Sequence, residues 1–146
     1  MDPVSVRFVR AALLWLVLGF TLGALILSDA LMPGSWRVWF APTHGHILFV
    51  GWFLQFAVGV GYWLLPRKRP AERPLGYRED VAQVAFALLN LGLLLRVVTE
   101  PAERIGDGGW LIDYTLALSS ILQLAAIAII ARQLWSRITL RPPARS

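Results

Sequence analysis

Four long apolar stretches constrain the fold of this chain more than any other feature of its sequence. They run over residues 11–27, 41–66, 81–99 and 114–131, and only Arg96 places a charge within them. A membrane-spanning helix needs about 17–25 mainly apolar residues, and a chain in lipid must satisfy its own backbone hydrogen bonds. We therefore predict one all-α integral membrane domain over residues 1–146, a four-transmembrane-helix bundle with spans at about 9–31, 43–65, 80–100 and 111–135.

Composition excludes several other classes of protein. Hydrophobic residues make up 57% of the chain and charged residues only 16%, whereas about a quarter of a soluble domain is charged. This balance excludes a disordered chain and a water-soluble nucleic-acid-binding protein. The absence of cysteine excludes disulfides, cysteine zinc sites, iron–sulfur clusters, thiol catalysis and covalently attached haem.

The basic residues predict the orientation of the bundle. Most of them lie before the first stretch, between the second and third, or at the end of the fourth: Arg7, Arg10, Arg67, Lys68, Arg69, Arg73, Arg78, Arg132, Arg137, Arg141 and Arg145. Short cytoplasmic loops carry such an excess, so we predict cytoplasmic termini (N-in/C-in) in a multi-pass protein of the bacterial inner membrane. The net charge of +5 then reflects topology and attraction to anionic lipid, and requires no nucleic-acid partner. The first stretch is long for a signal peptide and lacks a clear cleavage site, so we expect it to be retained.

The histidines, His44 and His46, lie at the start of the second stretch. Pro42 suits an early helical turn, and Thr43 is a candidate cap for it. Helical residues two apart point about 200° away from each other, so these histidines cannot easily bind one metal ion from one helix. One interpretation is that they are polar residues near a helix end, bonded to water or backbone. The other is functional, because ionisable groups inside a membrane seldom lack a role, and neutral imidazole is a common axial ligand of haem iron.

A resemblance to a known family rests on the second stretch. His44-Gly45-His46, Leu48, Gly51-Trp52 and the run from Gly59 to Arg67 (GVGYWLLPR) resemble the second transmembrane helix of the catalytic subunit of haem–copper oxidases and nitric oxide reductases. In that family a histidine near the outer end of this helix is an axial ligand of the low-spin haem, and the helix ends in a similar aromatic-Leu-Pro motif. The resemblance implies that His44 or His46 is a haem ligand, without deciding which.

The sequence also departs from that family. The family's catalytic subunit has about a dozen spans in three pseudo-repeats of four helices, and further histidines hold copper or non-haem iron. This chain has four apolar stretches and no third histidine. The resemblance therefore implies a relative the size of one four-helix repeat, which is not a complete oxygen or nitric oxide reductase.

A homotrimer would reproduce the helix number of that twelve-helix subunit. In this hypothesis haem b, about one per chain and non-covalent, lies between the second spans of neighbouring chains. His44 of one chain and His46 of the next are its metal ligands, and a heterologous contact of this kind closes into a ring.

Four further residues are candidates for binding the cofactor. Gly51 narrows the second helix and could admit either a porphyrin face or a neighbouring helix. Gln55 lies on roughly the same face as His44 and could line the cleft or bond to another helix. Arg96 is a candidate partner for a haem propionate, or for Glu100 at i+4, and Arg37 is a second propionate candidate in an outer loop.

The sequence leaves several functions open. The first is a haem-binding redox protein that carries electrons between quinol and an outer-face electron carrier. A haem-based gas sensor is an alternative, but two histidine ligands leave the iron no open position. Another is a cofactor-free membrane scaffold or assembly subunit, which differs only in the role of the histidines. A transporter would need more polar spans and a helix broken at mid-membrane.

Overall fold

The computed structural model describes residues 1–28, 31, 33–65 and 75–138, and within these ranges the chain forms four helices and no strand. They are α1 (Pro3–Leu27), α2 (Ser35–Leu64), α3 (Glu79–Ala102, continued by a π-helical turn, Glu103–Asp107) and α4 (Trp110–Trp135). All four are long and apolar enough to cross a membrane. The predicted all-α fold with four such helices is confirmed, while orientation and oligomeric state stay predictions. Six basic residues of the orientation argument lie outside the described ranges: Arg67, Lys68, Arg69, Arg73, Arg141 and Arg145.

Consecutive helices pack against each other along the chain, most extensively α3 with α4 and α1 with α2. The helices alternate in direction, which gives the bundle two ends. We call the end that holds His44 and His46 the histidine end. The opposite end, where α1 begins and α4 finishes beside Tyr62 and Tyr77, is the tyrosine end. Large apolar side chains cover the outside of the bundle, such as Leu14 at 68% exposure and Leu124 at 71%, and they would face lipid rather than water in a membrane.

The middle of α2 is π-helical over Ile47–Leu54. Four of its buried residues, Thr43, Ile47, Gly51 and Gln55, recur at every fourth position. In a regular α-helix such a row would rotate by about 40° at each step, so it would soon leave the interface. The wider turns of the π segment compensate for this rotation and keep the row against the neighbouring helices.

The start of α2 differs from the sequence expectation. The helix begins at Ser35 and contains Pro42 in its interior. Thr43 therefore does not cap it. The Thr43 side chain is buried and its hydroxyl donates to Glu100 of α3 instead. No local pattern in the sequence indicates this long-range partner, which replaces the local role expected of a threonine after proline.

Amide side chains join three helices at the middle of the bundle. Asn90 of α3 and Gln55 of α2 exchange two hydrogen bonds, with N–O distances of 3.2 and 3.1 Å. The indole of Trp15 on α1 donates to the same Asn90 oxygen at 3.0 Å. These bonds hold α1, α2 and α3 in one register, because buried amides are costly when unpaired.

The tyrosine end holds a second buried polar cluster. Asp2 caps α1 by accepting from the Ser5 backbone N–H at 2.9 Å, and it also accepts from the Tyr77 hydroxyl at 2.7 Å. The Arg137 guanidinium lies 5.4 Å from the centre of the Tyr77 ring and donates to the Tyr62 carbonyl at 3.0 Å. Burial, and then the hydrogen bond to Asp2, raise the pKa of the Tyr77 phenol well above its ordinary value. Through Asp2 and Arg137, this cluster joins the first and the last part of the described chain to Tyr77 in the loop before α3.

Two glycines of α2 provide a matched test of this packing. A Cβ atom at Gly51 would lie 2.8 Å from Trp15 Cγ and 2.9 Å from Leu93 Cδ2, whereas a Cβ at Gly45 would meet nothing within 4 Å. Gly51→Ala should lower the free energy of unfolding by about 1–3 kcal/mol through overpacking. Gly45→Ala should leave it unchanged or raise it by up to about 1 kcal/mol. Unfolding of the detergent-solubilised protein by added SDS measures both. Equal effects at the two positions would contradict the packing described here.

Candidate functional site

His44 lies between α2 and α1. Its Nδ1 is 3.0 Å from the carbonyl oxygen of Gly19. A Cβ atom at Gly23 would be only 2.7 Å from His44 Cε1, and one at Gly19 would overlap Leu48. The Gly19-x-x-x-Gly23 pair therefore gives the imidazole its place on α1, in addition to the close helix packing that such pairs usually provide.

His46 faces a different neighbour, α3. Its Nδ1 lies 3.0 Å from the Pro42 carbonyl oxygen in the preceding turn and 3.2 Å from Oε2 of Glu100. Its side chain is one-third exposed. The two imidazoles thus contact different helices, as their spacing of two residues along a helix requires.

The hydrogen bonds of the two rings define which nitrogen carries the proton. In each ring Nδ1 approaches a backbone carbonyl oxygen, which can only accept. Nδ1 is therefore the donor in each ring, and Nε2 is the nitrogen left to bind another group. Within the described part of the chain, neither Nε2 has a hydrogen-bond partner. Metal-binding histidines show this arrangement, since the nitrogen that does not bind metal usually donates to a carbonyl or carboxylate.

Glu100 is the centre of a polar cluster beside His46. Its carboxylate is buried and accepts from the Thr43 hydroxyl at 3.1 Å. Arg96 Nε lies 3.8 Å from Glu100 Oε1, which is an ion-pair distance rather than a hydrogen bond, and Arg96 Nη1 donates to Ser120 Oγ at 3.1 Å. The cluster joins α2, α3 and α4 near the histidine end. It places a carboxylate on His46 Nδ1, where such a group makes the imidazole a stronger ligand.

The other predicted cofactor residues lie apart from the two imidazoles or have partners of their own. Gly51 is buried against Trp15 of α1 and Leu93 of α3, and its role toward a cofactor stays a prediction. Gln55 is fully buried and paired with Asn90 at the middle of the bundle. Arg37 Nε donates to the carbonyl of Ile26 at 3.3 Å, which joins the start of α2 to the end of α1. Arg96 alone of these four lies in the cluster beside His46.

The described residues offer few ligands for a metal ion held only by protein side chains. Among the residues that the structure describes, no group of three or more His, Cys, Asp or Glu side chains is placed to hold a metal ion. Haem iron has a different requirement, because the porphyrin supplies four of its ligands and the protein supplies one or two.

Sequence reasoning missed the residues that orient the two rings. Gly19 and Gly23 have a spacing that indicates helix packing, and nothing in it indicates a histidine partner. For Glu100 the spacing indicates only an i, i+4 contact with Arg96. One feature of the sequence does point to Glu100: it directly follows the third apolar stretch, which in a four-helix bundle ends on the same side as the histidines.

Comparison of the chain with protein-family models, with curated proteins and with solved structures gives no match.

Glu100 and Glu103 provide a matched test of the cluster, since Glu103 is exposed one turn further along the chain. Glu100→Ala removes the acceptor of the Thr43 and His46 contacts and should lower the free energy of unfolding by about 1–3 kcal/mol. Glu103→Ala should change it by less than about 0.5 kcal/mol. SDS-induced unfolding in detergent measures both. A Glu100→Ala protein as stable as the Glu103→Ala protein would show that the cluster contributes nothing to stability.

Proposed function

We propose that this chain is a b-type haem protein of the bacterial inner membrane with a role in electron transfer. Nε2 of His44 and Nε2 of His46 would be the axial ligands of the iron. The observation that carries the proposal is the bonding of the two rings: each Nδ1 is 3.0 Å from a carbonyl oxygen, and each Nε2 has no partner among the described residues. A histidine that ligates haem iron is bonded in this way, with Nδ1 as a donor to the protein and Nε2 toward the iron.

The proposal includes sharing of haem between copies of the chain. His44 contacts α1 and His46 contacts α3 of the same chain, so one iron would not receive both rings from one chain. If each haem takes His44 from one copy and His46 from the next, every imidazole is used. Contacts that join different surfaces of neighbouring subunits close into rings. We propose a trimer. Its twelve helices would equal in number those of the oxidase subunit whose second helix α2 resembles.

The proposed coordination favours electron transfer over gas sensing. Haem would supply reversible one-electron chemistry at the iron, and two histidine ligands leave no position open for a gas. With the proposed N-in/C-in orientation, the histidine end lies at the outer face of the membrane. Quinol would then be a donor from within the lipid, and a carrier at the outer face would be an acceptor. Arg96 and Arg37 are cationic groups toward that end and remain candidates for the propionates.

A cofactor-free scaffold is the second candidate, and one observation favours it. Glu100 already engages His46 and Thr43, and the Gly19–Gly23 surface already engages His44. Both histidines therefore contribute to packing within the chain, as interhelical polar residues do in membranes. This candidate needs no haem and no second copy.

Optical spectra of the purified protein test the first proposal. We expect sharp α and β bands after dithionite reduction, with about one haem per chain, and no spectral change with carbon monoxide, because both axial positions are filled. His44→Gln and His46→Gln should each abolish the sharp bands and permit carbon monoxide to bind. Glu103→Gln, at an exposed position, should leave the spectrum unchanged.

Three results would contradict parts of this proposal. A colourless protein that also fails to take up added haem would favour the scaffold. A haem-loaded monomer by light scattering would rule out sharing between copies. Carbon monoxide binding by the unaltered reduced protein would favour the gas sensor.

A further inference from the structure

A cleft of about 460 Å³ opens at the tyrosine end, between the start of α3 and the last turns of α4. Its lining combines two arginines with neutral polar and apolar groups: Gly76, Tyr77, Arg78, Val81, Ile129, Arg132, Gln133 and Ser136. It lies at the opposite end of the bundle from His44 and His46. The proposed haem site therefore does not account for it.

Among the described residues, the charged groups that line the cleft are the two cations Arg78 and Arg132. Arg78 is held by Asp80, with an Nη2–Oδ2 distance of 2.5 Å. That hydrogen bond, and then the charge of Asp80, raise the pKa of Arg78. Arg132 has no ion pair or hydrogen bond from its guanidinium to any described residue. Arginine presents a planar fork of N–H donors that matches the oxygens of a phosphate group, so Arg132 is available for such a ligand.

The floor of the cleft is already fixed before any ligand binds. Gln133 accepts from the Tyr62 hydroxyl at 2.6 Å and donates to the Arg78 carbonyl at 3.0 Å. The Ser136 hydroxyl donates to the Gln133 carbonyl at 2.8 Å. These bonds join α2, the loop before α3, and α4. They keep Arg78 and Arg132 on the two walls of the cleft, so binding would require little ordering of the protein.

The apolar part of the lining indicates the source of the phosphate. Val81 follows Arg78 into α3, and Ile129 precedes Arg132 in α4, so both lie deeper toward the middle of the bundle than the arginines. A ligand in the cleft would therefore meet cations at its outer end and apolar side chains at its inner end. A phospholipid has an anionic headgroup at one end and apolar acyl chains at the other, whereas free phosphate has no apolar part to contact the inner end of the cleft. Beyond Val81, the exposed side chain of Val84 continues the apolar surface.

We propose that this cleft binds the phosphate of an anionic phospholipid, with Arg132 as its main ligand and Arg78 on the opposite wall. The first part of the acyl chains would lie along Val81 and Ile129. The site does not depend on haem. It belongs to the basic side of the predicted topology, where anionic lipid attracts arginine and lysine.

Native mass spectrometry of the full chain in detergent, titrated with phosphatidylglycerol or phosphatidylcholine, tests this proposal. Arg132→Gln should weaken phosphatidylglycerol binding about tenfold, which corresponds to about 1.4 kcal/mol. Arg78→Gln should weaken binding less, because the Arg78 guanidinium is already paired with Asp80. Arg7→Gln is the matched control, since Arg7 is exposed at the same end of the bundle on α1, and it should change binding less than twofold. The melting temperature checks that each variant is folded.

Three outcomes would overturn the proposal. Equal losses in Arg132→Gln and Arg7→Gln would assign lipid binding to general surface charge. Unchanged phosphatidylglycerol binding by the Arg132→Gln protein would show that the cleft is not the lipid-binding site. Displacement of phosphatidylglycerol by equimolar inorganic phosphate would show that the cleft recognises free phosphate rather than lipid. None of these results depends on whether haem is bound.

Discussion

The cost of an unpaired polar group in a hydrocarbon environment is the constraint on which this structure depends. The bundle meets it for most of its buried polar side chains with three polar layers at different heights, although Arg96 Nε, Ser119 Oγ and Gln123 Nε2 are buried without a hydrogen-bond partner among the described residues. Glu100 gathers its partners at the histidine end, Asn90 does so at the middle, and Tyr77 does so at the tyrosine end. Each layer joins at least two helices. Contact between apolar side chains of two helices is little more favourable than their contact with lipid. These polar layers, rather than the apolar surfaces, therefore determine how far each helix is shifted along its axis relative to its neighbours.

Packing and chemistry use the same residues at the histidine end. Gly23 leaves space for the His44 ring, and the Gly19 carbonyl accepts a hydrogen bond from its Nδ1. On the other side of α2, Glu100 both joins α3 to α2 and contacts Nδ1 of His46. The scaffold and haem proposals therefore begin from the same contacts. They differ only in what each Nε2 meets outside its own chain.

The sequence predicted those features that depend on neighbouring residues. The apolar stretches predicted four helices, and the spacing of His44 and His46 predicted that the rings point to different neighbours. The features that it missed depend on contacts between distant positions. Nothing near Thr43 indicates that its partner is Glu100, and nothing near Gln55 selects Asn90 rather than a cofactor. The placement of Gly51 against Trp15 required the path of α1, which no local pattern contains.

The π-helical segment also has a consequence for how the sequence can change in length. A π segment holds about one residue more than an α-helix that turns through the same angle, so loss of one residue between Ile47 and Leu54 would restore regular α-helix without turning the remainder of α2 away. Gln55 would still face Asn90, and Tyr62 would still face Gln133. A membrane helix of this length could absorb the small change in rise by tilting. Loss of one residue from the regular part of α2 would instead rotate the remainder by about 100°, so the π segment is the part of this helix in which a change of length disturbs the packing least.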